Sequence, residues 1–448
     1  MFDALDLTIL VVVLLGVVFA GVHIAVALGV TSVLGIYLMT DDIMVAQQFV
    51  GNTAYEALRD YVFAVIPLFM LMGEFLAKCG AARDMFALVA RLTKVIPARL
   101  AVATVLANAI FAFVTGVSIA AAAAFSRISY PEMKRAGYSR QFSLGCIAGS
   151  ACLGMLIPPS VLMIVWGVLT EQSIGRLFLA GVLPGFLLVA YFIIYIQYVA
   201  FTSPATVGEA RAPATALAQA APDEDLHIEG ALISTLLVIG LVIGVLCGIW
   251  MGAFTPTEGA GVGAAAGLLL AIAKGLRWKE IVEVVVSVGR TSGPLLLLLF
   301  TAQLYSRVLA MTGVTKAVQD LILGSGLGPY AILALIVLIW FVLGCIIDSI
   351  SIILLTVPVF APIAAAAGFD PLAFAILGIL AIETGLLTPP FGLLVFTVQA
   401  ALPEEEGAVG EIFRGAVPFW IALLAVIVTI AVFPQIATWL PTLAFSAK

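Results

Sequence analysis

Two stretches decide the fold: "GMLIPPSVLMIV" at residues 154–165 and "GLLTPPFGLLVF" at 385–396. Each places consecutive prolines in the middle of an apolar run. A proline inside a helix removes an amide donor and clashes with the carbonyl four residues back. Both runs therefore read as helices broken near their centres. They lie 231 positions apart, and the same shift carries Pro131 onto Pro362, Gly137 onto Gly368, Pro159 onto Pro390 and Ser118 onto Ser349. A single shift that serves so many landmarks indicates an internal duplication.

The surroundings of the breaks are overwhelmingly apolar. Of 448 residues 63% are hydrophobic and 10% charged, with a mean hydropathy of +1.22. A soluble domain carries about 25% charged residues, so the solvent of this chain is lipid and its fold class is an all-α integral membrane protein. The net charge of −6 offers no basic face to nucleic acid. Five cysteines lie singly in or beside apolar segments and read as small hydrophobes. Asp3 and Asp6 stand where a signal peptide needs positive charge, so the first apolar stretch reads as a retained span.

Apolar runs bounded by charges or Pro/Gly breaks predict spans at 3–22, 23–39, 61–77, 141–170, 177–200, 231–252, 256–273, 281–306, 371–401 and 412–440. Two further runs, 101–126 and 331–356, fit either one span or a re-entrant pair of half-helices. The polar interval 202–229, with Pro204, Pro213 and Pro222, reads as a linker between halves 1–201 and 230–448. Loop 127–140 carries Arg127, Lys134, Arg135 and Arg140 against Glu132, whereas its counterpart 357–371 holds only Asp370. Positive loops stay cytoplasmic, so the repeat is inverted. With both ambiguous runs as re-entrant hairpins, the basic loops 78–99 and 274–280 and the linker are cytoplasmic. The acidic loop 40–60 and both termini are then outside. Counting 101–126 as a full span would strand one basic loop on the outside.

Each half thus sets a polar hairpin tip beside a broken helix: "FVTGVS" (113–118) with "LIPPS" (156–160), and "GCIIDSIS" (344–351) with "LTPPFG" (387–392). Carbonyls freed at membrane depth need a partner, which a bound Na⁺ supplies, and opposing helix N-termini offer amides to a carboxylate. The competing reading is a structural kink satisfied by neighbouring helices. Asp348 lies inside an apolar run, where a carboxylate is costly unless it is paired or ligates a cation; hydrogen bonds to hairpin amides are the alternative. Glu383 is similar but open between site and scaffold. Thr115, Ser118, Ser349 and Thr388 bring hydroxyls to the same levels, and Ser118, Ser160, Ser349 and Thr388 form the candidate substrate-binding set. Thr255 and Glu258 read as a helix cap, Trp250, Trp278 and Trp439 as interfacial anchors, and His23 as a packing or hinge residue. His227 falls in the linker.

No Cys/His pair, metal-ligand cluster, phosphate loop or dinucleotide fingerprint supports an enzyme. An intramembrane serine protease would have only His23 as a base. A channel would not require two inverted copies of a broken helix, whereas alternating access does.

At these motifs the chain resembles the large membrane subunit, the dicarboxylate-type M subunit, of the tripartite ATP-independent periplasmic (TRAP) transporters. The matching stretches are "IPLFMLMGEFL" (66–76), "PEMKRAGY" (131–138), "GSACLGMLIPPS" (149–160), "SIGRLFLAGVLPG" (173–185), "GAFTPTEGAG" (252–261), "LGCIIDSISIILLTVPVFAPI" (343–363) and "GLLTPPFG" (385–392). The resemblance implies an elevator in the bacterial inner membrane: hairpins and broken helices slide as a transport domain past a scaffold. It implies Na⁺ symport of an organic carboxylate, a periplasmic substrate-binding protein and a small four-helix membrane subunit. No such helices precede residue 1, so that subunit is expected as a separate chain. No cofactor other than Na⁺ as coupling ion is implied. Carried over, one Na⁺ site uses Thr115, Gly116 and Ser118 with Gly154 and Pro158. The other uses Gly344, Asp348 and Ser349 with Gly385 and Thr388. Ala381 departs from the Asn that many relatives carry, which puts the ligand detail of the second site in doubt. A stand-alone Na⁺/carboxylate symporter is the runner-up.

Overall fold

The structure, a computed structural model, describes residues 4–208, 224–403 and 408–445. In chain order its helices are α1 Ala4–Phe19, α2 Ile24–Thr40, α3 Ile43–Arg59, α4 Val65–Lys78, α5 Ala81–Leu92, α6 Arg99–Thr115, α7 Ser118–Arg135, α8 Arg140–Ala151, α9 Leu153–Leu156, α10 Val161–Thr170 and α11 Ile174–Thr202. The second half continues with α12 Glu224–Met251, α13 Pro256–Ala273, α14 Trp278–Thr312, α15 Val314–Leu323, α16 Pro329–Gly344, α17 Ser349–Ala366, α18 Pro371–Gly385, α19 Leu393–Ala400, α20 Val409–Val432 and α21 Gln435–Phe445. Among the described residues, eight helical segments are long and apolar enough to cross a membrane. The fold is all-helical and multi-pass. Large apolar side chains such as Leu236, Leu269, Ile421 and Val428 are exposed on its outside, as a lipid solvent requires.

The helix starts follow from short polar side chains that satisfy the orphan amides of a first turn. Asp42 accepts from Met44 N at 2.7 Å, and Asp370 accepts from Leu372 N and Ala373 N. Thr255 and Glu258 form the expected cap in reciprocal form: Glu258 Oε2 accepts from Thr255 N at 2.8 Å and Thr255 Oγ1 accepts from Glu258 N. His23 caps α2 by accepting from Ala25 N.

Moved by 231 positions, α7 (Ser118–Arg135) lands on α17 (Ser349–Ala366), and the first residue of α8 lands on that of α18. Burial separates the elements: the broken segment Arg140–Thr170 is 89% buried over its most apolar window, against 33% for Trp278–Thr312. Around the broken helices pack α6, α7, α16 and α17. Trp166 and Trp340 meet edge-on at 5.8 Å in the interior, with Phe374 against both. A second group, α1–α5 with α12–α14, packs mainly on itself, α4 against α13 and α2 against α14.

Several boundaries differ from the sequence expectation. The acidic "loop" 40–60 is mostly the amphipathic helix α3, and the basic 78–99 contains α5. Both hairpin arms run longer than predicted, since α7 continues to Arg135 and α17 to Ala366. Their ends carry polar or small residues, so hydropathy stops short of where the backbone hydrogen bonds do. The 412–440 run is two helices, α20 and α21, which places Trp439 in the second. Of the linker, 209–223 lies outside the described residues, while α12 already begins at Glu224. The side chain of His227 also lies outside them.

Candidate functional site

The first tip is a two-residue turn. α6 ends at Thr115, Gly116 takes a left-handed φ of 61°, and α7 starts at Ser118. The break Ile157–Ser160 lies against it, and the Gly116 carbonyl accepts from Val161 N at 3.2 Å. Backbone meets backbone here. A Cβ on Gly154 would stand 2.9 Å from the carbonyl carbon of Val117 and 3.0 Å from Ser118 Cα, and one on Gly116 would strike the Pro159 carbonyl. Pro158 joins Pro159 through a cis peptide, as Pro389 joins Pro390. Ser160 closes the break by donating to Met155 O at 2.5 Å and capping Met163 N. Thr115 donates to Phe111 O at 3.2 Å. Ser118 Oγ is buried without a hydrogen-bond partner. Every residue from Ala151 to Gly167 is buried.

The second tip runs from Cys345 to Asp348, between the end of α16 and the start of α17 at Ser349. Gly344 and Gly385 face each other: a Cβ on Gly385 would lie 2.6 Å from Gly344 Cα, and one on Gly344 would lie 2.6 Å from Ile382 O. Cys345 O accepts from Phe391 N at 3.2 Å. Thr388 donates to Thr384 O at 2.8 Å. Asp348 is exposed and caps α17, accepting from Ser351 N at 3.0 Å. It is therefore not the buried carboxylate that its apolar flanks suggest. The turn lifts it out of the run, and the hairpin amide accounts for one of its oxygens. Pro389, Pro390 and Phe391 are exposed too.

The two tips converge on a residue that the sequence left open. Glu383, on α18, is 1% exposed. Ser349 Oγ donates to its Oε1 at 2.9 Å. The Ser118 hydroxyl lies beside the same carboxyl group, in a geometry that leaves Ser118 Oγ and Glu383 Oε2 unpartnered. From the other half, Cys152 Sγ contacts the Glu383 carbonyl at 3.8 Å; these two residues are themselves 231 positions apart. Glu383 stood out in the sequence as a charge in an apolar run, but its partners come from distant segments.

The donors offered at the tips are hydroxyls and unwound carbonyls, hard oxygens that suit an alkali or alkaline-earth cation. Among the described residues no group of three or more His, Cys, Asp or Glu could hold a metal ion. Ser118 Oγ, buried and unpartnered where the glycine-lined backbones meet, is a hard oxygen of the kind that fits a Na⁺.

The family described as "Tripartite ATP-independent periplasmic transporter, DctM component" matches residues 11–436. The chain belongs to this family. It is 31% identical to the C4-dicarboxylate TRAP transporter large permease protein DctM of Pseudomonas aeruginosa, over 93% of each chain. It is 28% identical to the ectoine TRAP transporter large permease protein TeaC of Halomonas elongata, over 98% of this chain and 99% of that one. The sialic acid TRAP transporter large permease protein SiaM of Vibrio cholerae is also 28% identical, over 96% and 97%. Among solved structures, the YdaH transporter of Alcanivorax borkumensis has a similar fold, with a TM-score of 0.59 at 14% identity, covering 90% of this chain and 88% of that one. This DctM-family chain is thus a multi-pass TRAP large permease, and the relatives' names span several substrates.

Proposed function

We propose that this TRAP large permease imports an organic carboxylate together with Na⁺ by an elevator movement in the bacterial inner membrane. The observation that carries the reading is the pair of tip–break contacts, each so tight that only glycine fits at Gly154 and Gly385. Unwound backbone at membrane depth persists where it is buried in protein or lines a site, and paired broken helices hold the substrate and ion sites of secondary transporters. Thr115, Gly116, Ser118, Gly154 and Pro158 hold one Na⁺; Gly344, Asp348, Ser349, Gly385 and Thr388 hold the other. Ser118, Ser160, Ser349 and Thr388 face the carboxylate, with helix N-termini complementing its charge. Re-entrant hairpins α6–α7 and α16–α17 with the broken helices α8–α10 and α18–α19 form the moving body, and α1–α5 with α12–α14 form the scaffold.

The matched ends of α7 and α17 support an inverted repeat of 1–201 and 230–448, with the linker cytoplasmic and both termini periplasmic. The carboxylate arrives on a periplasmic substrate-binding protein, and a small four-helix membrane subunit completes the complex. Its separate existence is part of the proposal, because the isethionate TRAP transporter permease protein DctMQ of Oleidesulfovibrio alaskensis, 26% identical, is longer and this chain covers 63% of it.

The test is uptake of labelled C4-dicarboxylate, sialic acid and ectoine into proteoliposomes that hold this chain and its small subunit. The expected result is uptake of one of these that needs both an inward Na⁺ gradient and the binding protein. Uptake with Na⁺ alone would replace the tripartite reading with a stand-alone symporter, and uptake indifferent to Na⁺ would remove the coupling ion.

A further inference from the structure

The carboxyl group of Glu383 stands where the two halves touch. One oxygen is engaged by Ser349, the first residue of α17. The side chain of Ser118, the first residue of α7, lies beside the same carboxyl group. Position is fixed from three sides: Cys152 touches the Glu383 backbone, Gly154 two residues on abuts Ser118 Cα, and α9 packs on α18. Two buried polar atoms, Ser118 Oγ and Glu383 Oε2, have no partner. A buried polar group left unpaired costs about 1–3 kcal/mol, so two neighbouring orphans mark a bond that closes in another occupancy of the site.

The chemistry of a hydroxyl supplies that bond. A serine that ligates a cation does so through an oxygen lone pair, which leaves its proton to a second acceptor. We infer that Glu383 is a positioning residue for both tips, accepting a hydrogen bond from each of Ser118 and Ser349 so that each hydroxyl turns its lone pairs toward its own Na⁺. The inference rests on the Na⁺-site reading above and deepens it. One carboxyl on a fixed backbone serves both hydroxyls through its two oxygens. Na⁺ at the first tip therefore orients Ser118, seats Glu383 and prepares Ser349, which makes binding at the two tips cooperative. Outer partners of this kind fix ligand orientation, and their loss lowers ion affinity about 10–100-fold.

The experiment uses the detergent-solubilised full chain, with Na⁺ as probe and K⁺ replacing it at constant ionic strength. Two readings are taken: equilibrium binding of ²²Na⁺ for the number of ions bound, and Na⁺-dependent thermal stabilisation for half-saturation and slope. Wild type is expected to bind two Na⁺ with a Hill coefficient near 2, the ceiling for about two sites. Glu383→Met removes both acceptors at similar volume and leaves the two buried serine hydroxyls without them, at about 1–3 kcal/mol each, so Glu383→Asp is the second variant. Glu383→Asp keeps the carboxyl but shortens its reach, so it cannot serve both serines. Both variants should still bind two Na⁺, with half-saturation raised about tenfold and the Hill coefficient near 1.

A wild-type Hill coefficient kept by Glu383→Asp, or by Glu383→Met, overturns the inference. Loss of one of the two Na⁺ in either variant overturns it as well, because Glu383 would then be a ligand. A wild type that binds two Na⁺ independently sinks this inference alone, whereas a wild type that binds none sinks the Na⁺-symport reading beneath it.

Discussion

The two breaks are built from the same device and end in different surroundings. In the first, Ile157 to Ser160 are buried, and Ser160 ties the freed chain to Met155 O. In the second, the equivalent of Ser160 is Phe391, 59% exposed, and Pro389 and Pro390 are exposed beside it. The tips differ in the opposite sense. Asp348 caps α17, while its counterpart Val117 offers α7 no side-chain cap. The first half thus buries its break and leaves its tip uncapped, and the second half caps its tip and leaves the prolines of its break exposed. The two halves share the backbone geometry of tip and break, and the side chains decide which element of each pair is held.

The largest effects should come from the element that both halves share. Gly154→Ala and Gly385→Ala each drive a methyl into opposing backbone, at 2.9 Å from the Val117 carbonyl carbon and 2.6 Å from Gly344 Cα. Overpacking of this kind costs about 1–3 kcal/mol, and backbone can yield less than a side chain. Both variants should lose Na⁺-driven uptake in proteoliposomes. The temperature of thermal unfolding should also fall in both variants, since each methyl meets opposing backbone in a buried stretch. A variant that kept its melting temperature would show that its tip–break contact can open without cost.

How much of this was legible follows from what signals each feature. Pro158, Pro159, Pro389 and Pro390 announce the breaks locally, since a missing amide is a property of the residue itself. The tips were legible because Gly116 and the Ser118/Ser349 pair punctuate apolar runs. The helix α3 was not, because Asp41, Asp42, Glu56 and Asp60 give the stretch a loop's composition. The usable signal was Asp42 as a cap ahead of Ile43, Met44 and Val45. The accessibility of Asp348 could not be read either: hydropathy reports the depth of the run, and the turn decides which of its residues leave it. The meeting of Glu383 with both tip serines is tertiary, joining residues 34 positions apart on one side and in different halves on the other.

Asp348 is the place where the tips can be told apart by an ion. Asparagine caps a helix about as well as aspartate, so Asp348→Asn should leave the melting temperature within a degree or so. If the carboxylate also faces Na⁺, as proposed for the second site, half-saturation for Na⁺ in uptake should rise about tenfold, the equivalent of about 1.4 kcal/mol. Val117→Ala in the uncapped tip should leave it unchanged. Unaltered Na⁺ dependence in Asp348→Asn would assign that side chain to capping alone and leave the second site to hydroxyls and carbonyls.

The smallest difference separates the residues that follow the two proline pairs. Ser160→Ala deletes the bond to Met155 O and the cap on α10, and a lost cap costs about 1 kcal/mol. The site is buried, so Met155 O is then left unpaired where water cannot replace the hydroxyl, and the loss should sit at the upper end of that range. Phe391→Ala removes an exposed ring at the corresponding position, and a surface truncation of this kind changes stability by no more than about 0.5 kcal/mol. Differential scanning fluorimetry in one detergent should therefore resolve a downward shift for Ser160→Ala and none for Phe391→Ala. Equal shifts would mean that the Phe391 ring packs as firmly in the folded chain as Ser160 is bonded, and the asymmetry between the two breaks would fall.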